Sequence, residues 1–172
     1  MKDKNKRLRV VLAGGPCCGK STTINELKQR GYNTLEETAR IVIEEGIFHP
    51  SRGAGEFQEE ILRRQILKEE QIKETTFLDR SALEGMAYSL LIMNKIPKAF
   101  FNYNFHNKYD LVFLLDRFPL KTDGVRVESS DEEAQKIHNM ISQTYLLYGY
   151  SPIRVPIMPI RERADYILEK IK

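Results

Sequence analysis

Gly14-Gly15-Pro16-Cys17-Cys18-Gly19-Lys20-Ser21 fits the spacing G-x-x-x-x-G-K-[ST], and Thr22 extends it. That spacing grips a polyphosphate. Glycines let successive backbone N–H groups curl round the anion, the lysine reaches the outer phosphates, and the serine hydroxyl ligates Mg²⁺. Gly14 to Thr22 are therefore the expected nucleotide-binding residues, with Lys20 also a catalytic cation. Other residue types on the chain could complete a phosphoryl-transfer site. Asp79 closes the apolar run Phe77-Leu78 and is placed to hold the metal with Ser21. Glu37, with Glu36 as the near alternative, is the expected base for a substrate hydroxyl, since a carboxylate takes a proton at hydrogen-bond range. Arg80 and Arg40 could fix that carboxylate or clamp a phosphate, because a planar guanidinium fork suits either task. Lys121 and Arg126 lie in a polar, glycine-containing stretch, Phe118 to Ser130. That stretch reads as a lid, expected over residues 117–130. Its Arg126 would close on the γ-phosphate and neutralise transition-state charge.

These residues need elements to position them, and the chain supplies an alternating rhythm. Arg9 to Ala13 reads as a strand feeding the phosphate loop, and Lys20 to about Arg30 as the helix after it, stopped by Gly31. A short strand Tyr32–Leu35 ends on Glu36-Glu37, and a helix runs on to Gly46. Pro50, Gly53 and Gly55 mark a loop, after which Glu56 to about Glu74 carries apolar residues at helical spacing. Phe77-Leu78-Asp79 reads as a strand, and Ala82 to about Asn94 as a helix. An irregular aromatic segment follows Pro97. Leu111 to Leu115 is an unbroken apolar run, the signature of a strand covered on both faces. Asp131–Tyr148, Ile153–Val155 and Ile160–Lys172 read as helix, strand and helix. Strands alternating with helices imply an α/β fold with a parallel sheet, with ligands beyond the C-terminal strand ends. The phosphate loop, Glu36-Glu37, Asp79-Arg80-Ser81 and Asp116-Arg117 all fall at such ends.

A chain of 172 residues suits one domain, expected to span 1–172. With 41% hydrophobic and 30% charged residues it is globular rather than disordered. No segment approaches the length of a membrane span and no apolar signal core opens the chain, so the cytoplasm is the expected compartment. The net charge of +3 owes much to Lys2, Lys4, Lys6, Arg7 and Arg9. Without interleaved aromatics this arm reads as a solvated terminus rather than a nucleic-acid contact. Cys17 and Cys18 are adjacent, which makes a poor disulfide. They read as small residues that let the loop bend, with a weaker prospect of a thiol made acidic by surrounding N–H groups. Asn107-Lys108-Tyr109-Asp110 matches N-K-x-D, a guanine-reading string. It precedes a strand instead of following one, and reads as chance. His49, His106 and His138 lack metal-ligand spacing, and His138 reads as an ordinary helix residue.

Taken in order, G-G-P-C-C-G-K-S-T, R-G-Y, E-T-A-R, F-Q, F-L-D-R-S, D-G-V-R and A-Q-K-I-H resemble the AAA-type P-loop ATPase family AAA_28 over nearly the whole chain. That family is similar to the nicotinamide riboside kinase domain of the bacterial NAD regulator and to deoxynucleoside kinases. The resemblance implies a P-loop, nucleoside-kinase-like three-layer sandwich with about five parallel strands, the first of them central. It implies that Glu37 is the base, that Arg80 approaches the acceptor hydroxyl and the phosphates, and that Gln58 of Phe57-Gln58 reads a nucleobase. It also places Arg117, Lys121 and Arg126 in the lid. The chain departs from those kinases after the base glutamate, where Thr38-Ala39-Arg40 replaces a proline with a nearby aromatic, and this leaves the acceptor open. The expected activity is Mg-ATP-dependent phosphoryl transfer to a small-molecule hydroxyl, with GTP as another donor and a nucleoside or nucleotide-like compound as acceptor. The alternatives are a regulatory ATPase or GTPase acting on a protein partner, and a polynucleotide 5′-hydroxyl kinase.

Overall fold

The computed structural model describes residues 7–47, 49, 51, 53–119 and 130–171. Five parallel strands form one sheet in the order β2-β3-β1-β4-β5. They are β1 (Arg9–Ala13), β2 (Asn33–Leu35), β3 (Thr76–Asp79), β4 (Leu111–Leu115) and β5 (Ile153–Val155). β1 lies in the middle, hydrogen-bonded to β3 on one side and β4 on the other. Parallel strands need crossovers, supplied by the helices α1 (Lys20–Gln29), α2 (Thr38–Glu44), α3 (Ala54–Glu70), α4 (Glu84–Met93) and α5 (Asp131–Leu147), while α6 (Ile160–Ile171) follows the last strand.

Alternation along the strands divides the core between two faces. Val11, Ala13, Leu78 and Val112 pack with α3, α4 and α5 through Leu62, Met86 and Ile141. Val10, Leu12, Phe77 and Phe113 pack with α1 and α6 through Ile24, Leu27 and Ile167. All four residues from Val10 to Ala13 are fully buried, as a central strand between two helical layers requires. Burying a valine or leucine side chain is worth about 1.5–3 kcal/mol, so the strand that carries the phosphate loop is also the best anchored.

Element identities follow the sequence reading closely, and three differences have physical causes. α3 stops at Glu70 rather than near Glu74, because Arg9 Nη2 donates to Glu69 O (3.0 Å) and Arg7 Nη1 to Ile72 O (2.8 Å). Cations on the last carbonyls close a helix. The same two bonds correct the reading of Arg7 and Arg9 as a solvated arm; Lys2, Lys4 and Lys6 lie outside the described residues. The aromatic segment after Pro97 contains a 3₁₀ turn, Lys98–Asn102, that seats fully buried Phe100 against α4. Gly85 leaves room for that ring: a Cβ there would lie 2.7 Å from Phe100 Cζ. The face of α3 read as apolar also buries Gln58, Gln65 and Glu69. Glu69 is satisfied by Gln65 Nε2, Ala82 N, the Tyr109 hydroxyl and Lys108 Nζ. It ties α3 to the start of α4 and to the segment before β4.

Candidate active site

Gly19 ends the loop in the left-handed region (φ 72°) and caps α1, whose N-terminus points its free N–H groups and dipole at the loop. Cys17 is also left-handed (φ 57°). The loop is held from three directions. Beneath it, His138 of α5 accepts from Gly15 N at Nδ1 (3.3 Å) and lies 3.6 Å from Cys18 Sγ. A Cβ on Gly15 would lie 3.0 Å from His138 Cβ and Ala134 O, so a larger residue there would press on α5. From α6, buried Arg163 donates through Nη1 to Cys18 O (3.2 Å) and Thr23 Oγ1 (3.4 Å), and through Nη2 to Met158 O (3.0 Å). From the end of β4, Phe118 N donates to Cys17 O (2.8 Å) and Arg117 Nε to Pro16 O (3.4 Å).

His138 is therefore no ordinary helix residue. Burial, with Lys20 and Arg117 nearby, holds its pKa below the usual histidine range. Its accepting Nδ1 fixes the neutral tautomer protonated on Nε2. Burial pushes the Cys18 thiol up, against the pull of Lys20, Arg80 and Arg117, which corrects the expectation of an acidic thiol at that position. Neither cysteine is in a disulfide. Arg163 and His138 were missed in sequence. His138 closes the A-Q-K-I-H string but reads there as an ordinary helix residue, Arg163 lies in no motif, and both stand more than a hundred residues from the loop they hold.

A cavity of about 360 Å³ opens from the loop. Its lining combines Lys20, Ser21 and Thr22 at the start of α1, the polar side chains of Glu37, Arg40, Gln58 and Arg80, and the apolar surfaces of Ile43, Phe57, Ile61, Tyr88 and Ile92. Lys20 is buried and donates to Gly15 O (2.6 Å). Ser21 Oγ donates to Asp79 Oδ2 (2.6 Å), delivered by the register that sets Leu12 beside Asp79. Asp79 Oδ1 is buried without a hydrogen-bond partner. Burial raises the Asp79 pKa, offset in part by Lys20. An unpaired carboxylate oxygen beside a serine hydroxyl is a hard-donor set that fits Mg²⁺ completed by phosphates and water. No cluster of three or more acidic, histidine or cysteine ligands exists among the described residues.

Glu37 and Glu36 separate cleanly. Glu36 is exposed and paired with Lys28 (2.9 Å), whereas Glu37 lines the cavity and pairs with Arg80 Nε (2.9 Å). Burial pushes the Glu37 carboxyl up, but Arg80, Lys20 and Arg40 outweigh it and hold the pKa below the usual glutamate value. Arg80 is left-handed (φ 71°), and its Nη1 donates to Tyr88 Oη (2.8 Å) with the guanidinium 4.9 Å from that ring's centroid. Gln58 is almost wholly buried on the cavity wall. Arg40 lies at the rim, largely exposed, with its Nε 3.3 Å from Glu44. Arg117 also bonds Asp131 (2.7 Å) and Gln135 (3.1 Å), which anchors the end of β4 to α5. Asp116, read as a strand-end site residue, is taken up by Arg154 of β5 (2.8 Å). Lys121 and Arg126 lie outside the described residues. Asp110 of the N-K-x-D string accepts from Arg9 N (2.8 Å) at the start of β1, the sheet end opposite the phosphate loop. Glu84, unremarked in sequence, is almost fully buried on the same cavity wall.

The fold is shared with known kinases. The NadR protein, solved in complex with NR, superposes with a TM-score of 0.74 at 15% identity, over 95% of this chain and 49% of that one. The chain thus spans about half of NadR. Deoxyadenosine kinase from M. mycoides, solved with dCMP and dCDP, gives 0.64 at 16% identity over 95% and 98% of the two chains. Thymidylate kinase from Candida albicans gives 0.55 at 14% identity over 98% and 92%. At these identities the likeness is one of fold. No curated protein matches the chain by sequence. No helix among the described residues is long and apolar enough to cross a membrane. The model of the AAA domain family AAA_28 matches residues 9–163, and the chain, with its phosphate loop between a central parallel strand and α1, belongs to that family.

Proposed function

We propose that this protein is a Mg-nucleotide-dependent phosphotransferase, with ATP the expected donor and GTP the other. It moves the terminal phosphoryl group to the hydroxyl of a small acceptor, a nucleoside or nucleotide-like molecule. The observation that carries this reading is one cavity lined by Lys20 and Ser21, by Glu37, Arg80 and Gln58, and by apolar side chains. Transfer of this kind needs positioning and charge stabilisation more than covalent chemistry. The loop N–H groups and α1 dipole bind the phosphates. Lys20 exchanges Gly15 O for a phosphate oxygen. Ser21 and Asp79 would hold Mg²⁺, which when bound neutralises charge on the phosphates. Glu37, ionised at neutral pH, accepts a hydrogen bond from the acceptor hydroxyl and aligns it. Arg80 stands beside Glu37 and steadies the transferring group. Gln58 and the aromatic walls of Phe57 and Tyr88 suit a planar acceptor with hydrogen-bonding edges. Arg126 and Lys121 would complete the site from a lid over residues 117–130, within a single domain.

The test is nucleoside diphosphate release from Mg-ATP across a panel of nucleosides, vitamins and sugars. A low background rate that rises on adding one acceptor class is expected. Lys20→Ala should abolish release, whereas Glu37→Gln should keep nucleotide binding and lose about a hundredfold or more in turnover, the usual scale of a positioned proton acceptor. A rate indifferent to every acceptor, or a Glu37→Gln enzyme as fast as the parent, would overturn the assignment.

A further inference from the structure

Arg80 has two carboxylate neighbours. Glu37 reaches its Nε at 2.9 Å, and Glu84, the first residue of α4 and four residues on from Arg80, approaches its Nη1 at 3.5 Å. Glu84 is 1% exposed. Its Oε1 accepts from the Tyr145 hydroxyl of α5 (3.0 Å), which is itself 2.6 Å from Ser81 Oγ, so this oxygen is fixed by two elements. Its Oε2 is buried and makes no hydrogen bond; Arg80 is its ion-pair neighbour. A carboxylate with one oxygen anchored and the other turned to a catalytic guanidinium is built to place that guanidinium.

We propose that Glu84 is a positioning residue that shares Arg80 with Glu37, and so sets how much of Glu37 is free to engage the acceptor hydroxyl. This rests on the phosphotransferase reading for its consequence, although the sharing itself is a property of the folded chain. With Glu84 ionised, Arg80 divides between two anions and Glu37 is a better acceptor of a hydrogen bond. With Glu84 protonated, Arg80 belongs to Glu37 and masks it. The charged and titratable groups facing this cluster are Cys18 from the phosphate loop, Lys20 from α1, Asp79 from β3, Glu37 and Arg40 at the start of α2, Tyr88 from α4 and Tyr145 from α5. Burial lifts the Glu84 carboxyl to about 7, with Arg80 and Lys20 pulling the other way, so the exchange falls within the working range of pH.

The test is NMR of the Arg80 Nε–H group in the full chain across pH, in the parent, in Glu84→Gln and in Glu84→Asp, with Mg-nucleotide calorimetry on each. The parent signal should move with a midpoint near neutrality. Glu84→Gln should abolish that step while still binding Mg-nucleotide, and Glu84→Asp should retain a step at a displaced midpoint. If Glu84→Gln does not fold, loss or displacement of the step in Glu84→Asp decides. A parent signal that stays flat, or a step that persists unchanged in the variants, overturns the role of Glu84. Absence of nucleotide uptake in the parent would instead sink the phosphotransferase reading and leave the Arg80 result standing.

Discussion

Three residues decide what the cavity can do, and each owes its state to neighbours. Glu37 is held ionised by Arg80, Lys20 and Arg40; Asp79 is buried with one oxygen unpaired; Glu84 is a buried carboxyl pushed up to about 7. The last has a measurable consequence for stability. A folded-state carboxyl raised from 4.5 to about 7 keeps its proton after the unfolded chain has lost it. Stability therefore declines as pH rises through that window, by roughly 3 kcal/mol for a fully buried group. Glu84→Gln should lack the decline, so its unfolding free energy should gain on the parent between pH 5 and 8, read by denaturant titration at each pH. Parallel curves would show that Glu84 is already ionised in the acidic range. The sequence made Glu37 and Asp79 legible, because each closes an apolar run beside a recognisable loop. It could not choose firmly between Glu36 and Glu37, since the choice depends on Lys28 drawing one outward and Arg80 the other inward. Glu84 left no mark at all. A glutamate in the first turn of a helix looks like a response to the helix dipole until Arg80 and Tyr145 are seen around it.

At the scale of elements, the phosphate loop is less a free turn than a clasped one. α5 supplies His138 beneath it, α6 supplies Arg163 behind α1, and the end of β4 supplies Phe118 N and Arg117. Gly19 is where the clasp is tightest. Its φ of 72° disfavours an L side chain, and a Cβ there would lie 2.4 Å from Arg163 Nη1. The backbone term alone costs about 1–2 kcal/mol. Gly19→Ala should therefore weaken Mg-nucleotide binding by about tenfold, the equivalent of about 1.4 kcal/mol, measured by calorimetry. Arg163→Ala in the same chain should recover part of the loss by removing the collision. Full affinity in Gly19→Ala would mean that the loop yields freely. Loop, strand and helix were readable from G-x-x-x-x-G-K-S and its flanks because that information is local. The clasp was not: His138 stands 120 residues from Cys18 and Arg163 stands 145 from it, and no periodicity links them.

For the whole molecule, the order β2-β3-β1-β4-β5 explains why distant segments meet. With β1 central, the turns after β1, β2 and β3 open on the same edge, bringing Lys20, Glu37 and Arg80 round one cavity, with Asp79 joined to it through Ser21. Alternating strands and helices make that convergence readable in the sequence. The acceptor pocket was not readable, because its walls are drawn from α2, α3 and α4 and depend on how those helices pack. The likeness to NadR, deoxyadenosine kinase and thymidylate kinase is one of fold, and a fold alone does not name a substrate, so the proposed acceptor must be found by chemistry. The most direct measurement follows the phosphoryl group itself. Mg-ATP labelled in the γ-phosphate is incubated with the protein and the acceptor panel, and the label is traced. Label appearing on the hydroxyl of one acceptor class, dependent on Lys20 and Glu37, is the expected result. Label that passes only to inorganic phosphate, at a rate blind to every acceptor, would contradict it.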